Sequence, residues 1–319
     1  MKMNRTNGNK THRENKMIDI THKSNTFRLA IAQAIVKVSK QETIDAVKNN
    51  TVPKGNVFEM SKTAGLFAVK RTSDVIPDCH PLPIEFTAIR HTIAGLEIKI
   101  EVEVHTIYKT GVEVEAMHGA SVVALTVYDM LKPIDKGIEI CSVKLLEKKG
   151  GKSDYTDKFR KDLTAAVIVC SDSISAGKKE DKAGKAVIEK LTSVNVKTVD
   201  YIIIPDEIKI IQEKVNKYCV DKIDIVIVTG GTGLSKRDVT PEALLPLIEK
   251  QIPGIVEAAR AYGQNRTPYS MLSRSVAGLK GNTFILGLPG STRGAKECMD
   301  CLFPYALHVF RILEGGKHE

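Results

Sequence analysis

Residues 97–104, EIKIEVEV, alternate without a break: Ile98, Ile100, Val102 and Val104 fall on one side, Glu97, Lys99, Glu101 and Glu103 on the other. Successive side chains of a strand point to opposite faces, so the pattern predicts a strand of an antiparallel sheet with one wet face. The run Glu85 to Thr92 is placed to pair with it through Ala94-Gly95. In NTFRLAIAQAIVKVSKQETIDAV, Phe27, Ile31, Ala34, Ile35 and Val38 recur at helical spacing and predict a helix. A second helix is predicted over HGASVVALTVYDML, closed by Pro133, which cannot continue it. Antiparallel strands with helices packed on one face make an α+β sandwich.

Beyond residue 162 the pattern changes kind. Apolar runs AAVIVC (165–170), YIII (201–204), IDIVIV (223–228) and TFILGL (283–288) are separated by helical stretches such as KAGKAVIEKLTS and EIKIIQEKVNKYC. Continuously apolar strands alternating with helices predict a mostly parallel sheet covered on both faces. Four polar or glycine-rich loops leave the carboxyl ends of these strands: SDSISAG at 171, PDE at 205, TGGTGLSKRD at 229 and PGSTRG at 289. Ligands of open α/β sheets bind at that edge, so the four loops can converge on one site.

The change of pattern implies two domains, about 17–155 and 164–319, joined by a linker over 156–163 and preceded by an arm over 1–16. A length of 319 residues suits two cores. The net charge of +9 raises nucleic-acid binding, and its distribution removes it. Residues 1–155 carry 23 Lys/Arg against 18 Asp/Glu, and residues 156–319 carry 24 against 20. Residues 1–16 alone hold five basic residues and one acidic, so neither folded part is a basic footprint. That opening stretch has no apolar core of a secretory signal and reads as a solvated, disordered basic arm. No apolar run reaches transmembrane length, which excludes a membrane protein. The six cysteines read as reduced thiols of a cytoplasm, the CMDC pair at 298–301 as helix packing in place of a metal or redox half-site.

The stretch VTGGTGLSKRDVTPEA opens from a strand into Gly230, Gly231 and Gly233 and then a helix start at Thr240-Pro241-Glu242. Glycines let backbone N–H groups approach an anion, so the loop points to phosphate. It lacks the Lys-Ser or Lys-Thr pair of a nucleotide-hydrolysing loop, so a metal must meet the phosphate charge, with Asp206 and Asp238 as candidate Mg2+ ligands. Asp238 is also open to a reading as a helix cap or a partner of Arg237, and Asp206 as a turn residue. CSDSISAGKKEDKAG, TGGTGLSKRDVTPEA and SMLSRSVAGLKGNTFILGLPGSTRGAKEC resemble the MoaB/MogA family of molybdenum-cofactor proteins across residues 164–313.

That resemblance implies a three-layer α/β domain that forms trimers, binds molybdopterin and transfers AMP from Mg-ATP to the pterin's terminal phosphate with release of pyrophosphate. It puts the family's two functional aspartates on Asp206 and Asp238, and Asp172, Ser173 and Asp181 in the first loop. Ser273, Pro289, Gly290 and Ser291 would line the pterin side. The alternative is a catalytically silent molybdopterin-binding or scaffolding module, which would release no pyrophosphate from ATP.

Chemistry alone singles out few residues in the first half. His80 stands in the proline-rich DCHPLP, Glu113 and Glu115 alternate before a helix, and Asp129 and Lys132 are three apart at a helix end. Turn, solvent exposure and an i,i+3 ion pair also account for them. PKGNVFEMSKTAGLFAVKRTSDVIPDCHPLP, KTGVEVEAMHGASVVALTVYDMLK and LLEKKGGKSDY, however, resemble MoaC, a cyclic pyranopterin monophosphate synthase.

The MoaC resemblance implies a ferredoxin-like α+β fold in a hexameric assembly built of dimers, with active sites between subunits. Its reaction converts a cyclised GTP derivative, 3',8-cyclo-7,8-dihydroguanosine triphosphate, to cyclic pyranopterin monophosphate and pyrophosphate, with no cofactor required. Its essential residues fall on Lys54, His80, Glu113, Glu115, Asp129 and Lys132, with Lys70 and Arg71 as phosphate ligands. Lys54 and Lys132 would be the acid/base pair, Asp129 the orienter of Lys132 and His80 a phosphate or proton-transfer partner. A desolvated lysine with a lowered pKa suits such proton transfers. Val114 stands where the family commonly has methionine, an apolar exchange that alters packing. Together the two resemblances imply pterin and nucleotide substrates, a homo-oligomer on three-fold symmetry, and partners such as the molybdate-inserting MoeA-type enzymes.

Overall fold

The computed structural model describes residues 17–151, 154 and 161–316; the arm and the linker residues 156–160 lie outside them. The chain divides into two compact units, one up to Asp154 and one from Tyr155 on.

The first unit runs β1 (Thr26–Lys37), α1 (Gln41–Lys48), α2 (Val57–Lys70), α3 (Thr72–Val75), β2 (Phe86–Ala94), β3 (Glu97–Tyr108), α4 (Glu113–Leu131) and β4 (Glu139–Lys149). Among the described residues its sheet has four strands, ordered β2-β3-β1-β4 and antiparallel throughout, a ferredoxin-like arrangement. The β2–β3 hairpin turns at Gly95, at φ +59°, with Ala94 opposite Glu97. Ile98, Ile100, Val102 and Val104 are fully buried, as their alternation requires.

Residues 26–37 are a central strand, not the predicted helix, which is confined to α1 at Gln41–Lys48. Apolar side chains occupy both faces there, so Phe27, Ile31 and Ile35 match a helical stripe as well as a strand. The deciding set has period two: Ala30, Ala32, Ala34 and Val36 are fully buried, while Leu29, Ile31, Gln33 and Ile35 are half-buried. Pairing with β3 and β4 satisfies both backbone edges and overrides the helix preference of alanine.

Helix α2 begins at Asn56, whose side chain accepts from the Glu59 N–H at 3.0 Å. It packs on α4 through two glycines. A Cβ on Gly65 would lie 2.4 Å from Val123 Cγ2, and one on Gly119 would lie 2.6 Å from Val69 Cγ2. These pairings make the helices antiparallel, so the end of α2 at Lys70 lies beside the N-terminal half of α4, where Thr72 Oγ1 is 3.2 Å from His118 Nδ1.

The second unit contains β5 (Thr164–Cys170), α5 (Asp172–Ser175), α6 (Ala183–Ser193), β6 (Lys197–Ile204), α7 (Ile208–Val220), β7 (Ile225–Thr229), α8 (Thr240–Leu244), β8 (Lys250–Gln251), α9 (Pro253–Gln264), β9 (Val276–Lys280), β10 (Thr283–Leu288), α10 (Thr292–Leu302) and α11 (His308–Leu313). The sheet order is β6-β5-β7-β10-β9-β8; the first four strands are parallel and match the predicted runs. Antiparallel β9 and β8 extend it, an addition the apolar pattern did not signal. Alternate residues of β5 feed opposite cores, Ala165 and Val167 one, Ala166, Ile168 and Cys170 the other, which is why the strand is apolar at every position. Because β6 lies on one side of β5 and β7 on the other, the loops after β5 and β7 part at a topological switch point, where a crevice forms.

Cys298 and Cys301 lie on α10 as free thiols. Burial pushes both up, Cys298 to about 12, which disfavours a reactive thiolate.

Candidate functional site

At the C-terminal end of α4 of the first unit, Asp129 sits between two ammonium groups. Lys54 Nζ donates to Asp129 Oδ2 at 2.7 Å and to its carbonyl at 2.9 Å, and Lys132 Nζ lies 2.8 Å from Oδ1. Lys132 and Lys54 hold the Asp129 carboxyl down at about 2, and Asp129 in turn pushes the Lys132 ammonium further up. This corrects the expectation of a lowered lysine pKa at Lys132: in one chain its side chain is 50 % exposed and paired, so the Asp129 contact outweighs desolvation. Asp129 therefore orients both lysines, not Lys132 alone.

The N-terminal end of the same helix carries a different cluster. Glu113 and Glu115 lie in the first turn of α4, not before the helix as expected. Glu115 is buried, which pushes its carboxyl up, and it accepts a hydrogen bond from Cys79 Sγ at 3.0 Å. Burial and the Glu115 contact push that thiol to about 12, so it stays a donor. Glu113 is 3.6 Å from Lys148 Nζ. His80 Nε2 donates to the Ile18 carbonyl at 2.8 Å. Lys70 ends α2 and Arg71 follows, its guanidinium carbon 5.7 Å from the Phe67 ring centroid. Cys79 and Lys148 were not singled out from sequence; adjacency to His80 was the available signal for the first, and none pointed to the second.

One chain thus gathers Lys54, Asp129 and Lys132 at one end of α4, and His80, Glu113, Glu115, Lys70 and Arg71 at the other. Glu113 and Asp129 are sixteen residues apart on the helix, about 24 Å at 1.5 Å per residue, longer than a GTP-sized molecule.

In the second unit the four predicted loops do meet. Asp172 opens the loop after β5 and Asp206 the loop after β6, each backbone N–H donating to the other's carboxylate at 3.0 and 3.1 Å. Arg237 grips Asp172 with two hydrogen bonds of 2.8 and 2.9 Å and reaches Glu207 at 3.0 Å. That pairing holds the Asp172 carboxyl below its ordinary range. Arg237 thus serves Asp172 and not its neighbour Asp238. Asp238 is no helix cap either: its Oδ2 accepts from the Ser235 N–H at 2.7 Å, and Val239 caps α8.

Burial pushes the Asp206 carboxyl up. Its Oδ1 is buried without a hydrogen-bond partner among the described residues, beside Gly231 of the glycine loop. Ser173 Oγ lies 3.2 Å from Ser171 Oγ. Asp181 is buried, with its oxygens engaged by the amides of Gly184 and Lys185 and by the Tyr201 hydroxyl at 2.7 Å; it caps α6 and shapes the first loop from behind.

The glycines are required by contact. Gly230 has φ +106°, and a Cβ there would lie 2.1 Å from the Cys170 carbonyl oxygen. Gly231 has φ +61°, where a Cβ would meet Asp206 Oδ1 at 2.8 Å, and at Gly233 it would meet Asp238 Oδ2 at 2.9 Å. Thr240 ties the loop to α8, its hydroxyl donating to the Gly230 carbonyl at 2.8 Å and its N–H to that of Gly231 at 3.0 Å. Thr229 Oγ1 donates to the Pro289 carbonyl at 2.8 Å, which binds the fourth loop to the third.

Beyond Pro289 opens a cavity of about 380 Å³ whose lining includes Ser273, Ser275, Pro289, Ser291, Arg260 and Arg293. Ser273, Pro289 and Ser291 therefore share one wall system, and Ser291 also caps α10 through the Gly294 N–H at 3.1 Å. Gly290 instead packs against Gly230, where a Cβ would lie 2.9 Å from the Gly230 Cα. Among the described residues, no three His, Cys, Asp or Glu side chains gather to cage a metal ion, and no helix is long and apolar enough to cross a membrane.

Residues 17–151 match the MoaC family and residues 166–308 the "probable molybdopterin binding domain" family. Over 303 residues, 95 % of this chain and 96 % of the relative, the sequence is 38 % identical to a molybdenum cofactor biosynthesis bifunctional protein of Chlorobaculum tepidum. It is 35 % identical over 315 residues to a protein of the same description from Synechococcus elongatus, covering 95 % of this chain and 98 % of the other. A cyclic pyranopterin monophosphate synthase of Bacillus thuringiensis is 47 % identical over 148 residues, 45 % of this chain and 91 % of its own.

Proposed function

The chain belongs to the molybdenum cofactor biosynthesis bifunctional proteins, a MoaC domain fused to a molybdopterin-binding domain, and from that premise we propose that its two units catalyse two separate steps. The first unit is a cyclic pyranopterin monophosphate synthase acting on the cyclised GTP derivative. The second transfers AMP from Mg-ATP to the terminal phosphate of molybdopterin.

In the first unit, the lysines at Asp129 supply the charge a triphosphate needs. Asp129 fixes their spacing and stays ionised above a pH of about 2. Glu115, with its carboxyl pushed up by burial, is the group best suited to hold a transferable proton at its Oε, and Cys79 fixes which way it points. His80, its ring fixed through Nε2 on the Ile18 carbonyl, is the matching base. The separation of these groups along α4 supports a working site assembled from the Lys54 end of one copy and the Glu115 end of a second, and hence a homo-oligomer.

In the second unit, the glycine loop cradles phosphate by its backbone and the cavity bounded by Ser273, Ser291, Arg260 and Arg293 takes the pterin. The observation that carries AMP transfer over simple pterin holding is Asp206 Oδ1, a buried carboxylate oxygen without a partner, placed against the phosphate cradle. A Mg2+ ion fits there: it binds through one or two carboxylates and completes its shell with substrate phosphates and water, so no protein cage is required. Asp206 would hold it, with Asp238 as the second carboxylate, and it would neutralise charge on the phosphates in flight. The protein's own part is to set the two phosphates in line and keep them there.

The test is the full-length chain with molybdopterin, ATP and magnesium, assayed for adenylylated pterin and pyrophosphate, with Asp238→Asn alongside. Product in the wild type that vanishes in the variant supports the transferase. Tight pterin binding with no product reduces the second unit to a binding module. A parallel assay with the cyclised GTP derivative tests the first.

A further inference from the structure

Ser273-Arg274-Ser275 leads into β9, with Ser273 extended at φ −75° and ψ 129°. Neighbouring side chains of an extended segment point to opposite sides. Ser273 and Ser275 accordingly line the cavity, their hydroxyls 3.0 Å apart, while Arg274 between them turns to the glycine loop. There its Nε donates to the Gly233 carbonyl at 2.8 Å and one terminal nitrogen to the Asp238 carbonyl at 2.6 Å. Its other terminal nitrogen meets Glu242 Oε1 on α8, and its backbone N–H donates to the Thr232 carbonyl at 3.0 Å. Three carbonyls of the loop, spanning Thr232 to Asp238, are thus held by one residue whose two neighbours form the wall of the cavity.

We propose that Arg274 is a positioning residue that couples the two halves of this site, so that a molecule pressing on Ser273 and Ser275 sets the shape of the phosphate cradle on the other side of the strand. The inference rests on the reading of the second unit as a site for pterin and nucleotide together. A planar guanidinium with donors in a fixed fork can reach two carbonyls and a carboxylate at once; an ammonium cannot, so the effect belongs to arginine and not to positive charge. The coupling carries no requirement that Arg274 touch either ligand.

The experiment is calorimetric titration of Mg-ATP into full-length wild type, Arg274→Ala, Arg274→Lys and Glu242→Gln, with and without saturating molybdopterin. In the wild type, pterin tightens Mg-ATP binding about fivefold or more, the usual lower range of site-to-site coupling. In Arg274→Ala and Arg274→Lys the factor falls toward one, while pterin alone still binds. Glu242→Gln leaves both carbonyl contacts and keeps most of the factor. Arg274→Ala with the wild-type factor overturns the proposal, as does a wild type that binds both ligands independently. If the alanine variant fails to fold by circular dichroism, the lysine variant decides: a full factor there overturns the proposal and its loss supports it. A wild type that binds pterin and no Mg-ATP overturns the transferase reading itself, and this inference with it.

Discussion

Asp172 and Asp206 hold each other by exchanging backbone hydrogen bonds: the N–H of each donates to the carboxylate of the other, at 3.0 and 3.1 Å. Two like charges tolerate this contact because Arg237 neutralises one of them from the far side, gripping both oxygens of Asp172. Among the described residues no cation pairs with Asp206, which feels Arg237 only through its charge. Burial is the first force that raises its carboxyl, and the charges of Asp172 and Asp238 push the same way. The fold therefore makes this carboxylate harder to ionise, a perturbation of the kind that clusters at functional sites.

Asp206→Asn should separate these two demands. An acid whose pKa is raised in the fold weakens the fold as the pH climbs through that value, so replacing it with a neutral isostere leaves the melting temperature of the second unit unchanged or raises it, with a gain that grows as pH rises above the ordinary aspartate range. AMP transfer falls about a hundredfold or more, the usual effect of removing one group that stabilises charge in flight. Calorimetric melting and product formation on the same preparation check both. A variant that melts much earlier and loses activity in proportion would make Asp206 a structural residue.

Gly290→Ala tests the close approach of the third and fourth loops. The added methyl would lie 2.9 Å from the Gly230 Cα, a backbone atom that cannot rotate away. Overpacking of this kind costs about 1–3 kcal/mol, and the shift falls on the cradle. Denaturant unfolding should show the loss in the second unit alone, with synthase activity of the first unchanged and adenylylated pterin reduced. Equal loss of both activities would place the damage outside this contact.

How much of this was legible in the sequence depended on whether one face or two faces of an element are apolar. EIKIEVEV could be read at once because its Glu and Lys residues mark the wet face. Residues 26–37 could not, since Ile31 and Ile35 are apolar on the side opposite Ala32 and Ala34, and only the pairing partners β3 and β4 decide the period. The parallel strands were readable as apolar runs, whereas β9 is short and contains Gly278 and Lys280. Site residues carried by glycine, aspartate and motif were found. Arg274 was not, because nothing local distinguishes an arginine that straps a loop from one in solvent. The division of the first site between the ends of α4 was equally hidden, since sequence spacing gives no distance until the helix is known to be unbroken.

Acid stability of the first unit should depend on Asp135. This buried carboxylate accepts from the Ser39 N–H at 2.8 Å, the Ser39 hydroxyl at 2.5 Å, the Thr43 hydroxyl at 3.0 Å and the Gly137 N–H at 2.9 Å, so that it fastens the start of α1 to the end of α4. Burial pushes its carboxyl up, and the hydrogen bonds overcome that and hold it at about 2 against an ordinary 3.8. A depressed acid contributes stability that is present above the unfolded value and lost as pH falls through the folded one, so the window is 3.8 down to about 2. The difference corresponds to about 2 kcal/mol. Asp135→Asn should lower the unfolding free energy of this unit by about that amount at pH 7 and flatten its dependence on pH across the window. An unchanged slope would mean that another carboxylate governs acid unfolding.

The two clusters of α4 make the last prediction. If one working site draws Lys54, Asp129 and Lys132 from one copy and His80, Glu113 and Glu115 from another, then a chain damaged at one end complements a chain damaged at the other. Lys132→Ala and Glu115→Gln should each be inactive as synthases when pure. In a two-fold pair the contact is self-complementary, so every mixed pair holds one site with both defects and one with neither. Mixing the two variants one to one, by unfolding and refolding together, gives half the pairs mixed and restores about a quarter of wild-type activity on the same symmetry argument. Refolding each variant alone supplies the control for recovery of folded protein. If the site were complete within one chain, every chain in the mixture would carry a defect and none of the activity would return; activity that returns without refolding, on simple mixing, would add that the copies exchange freely.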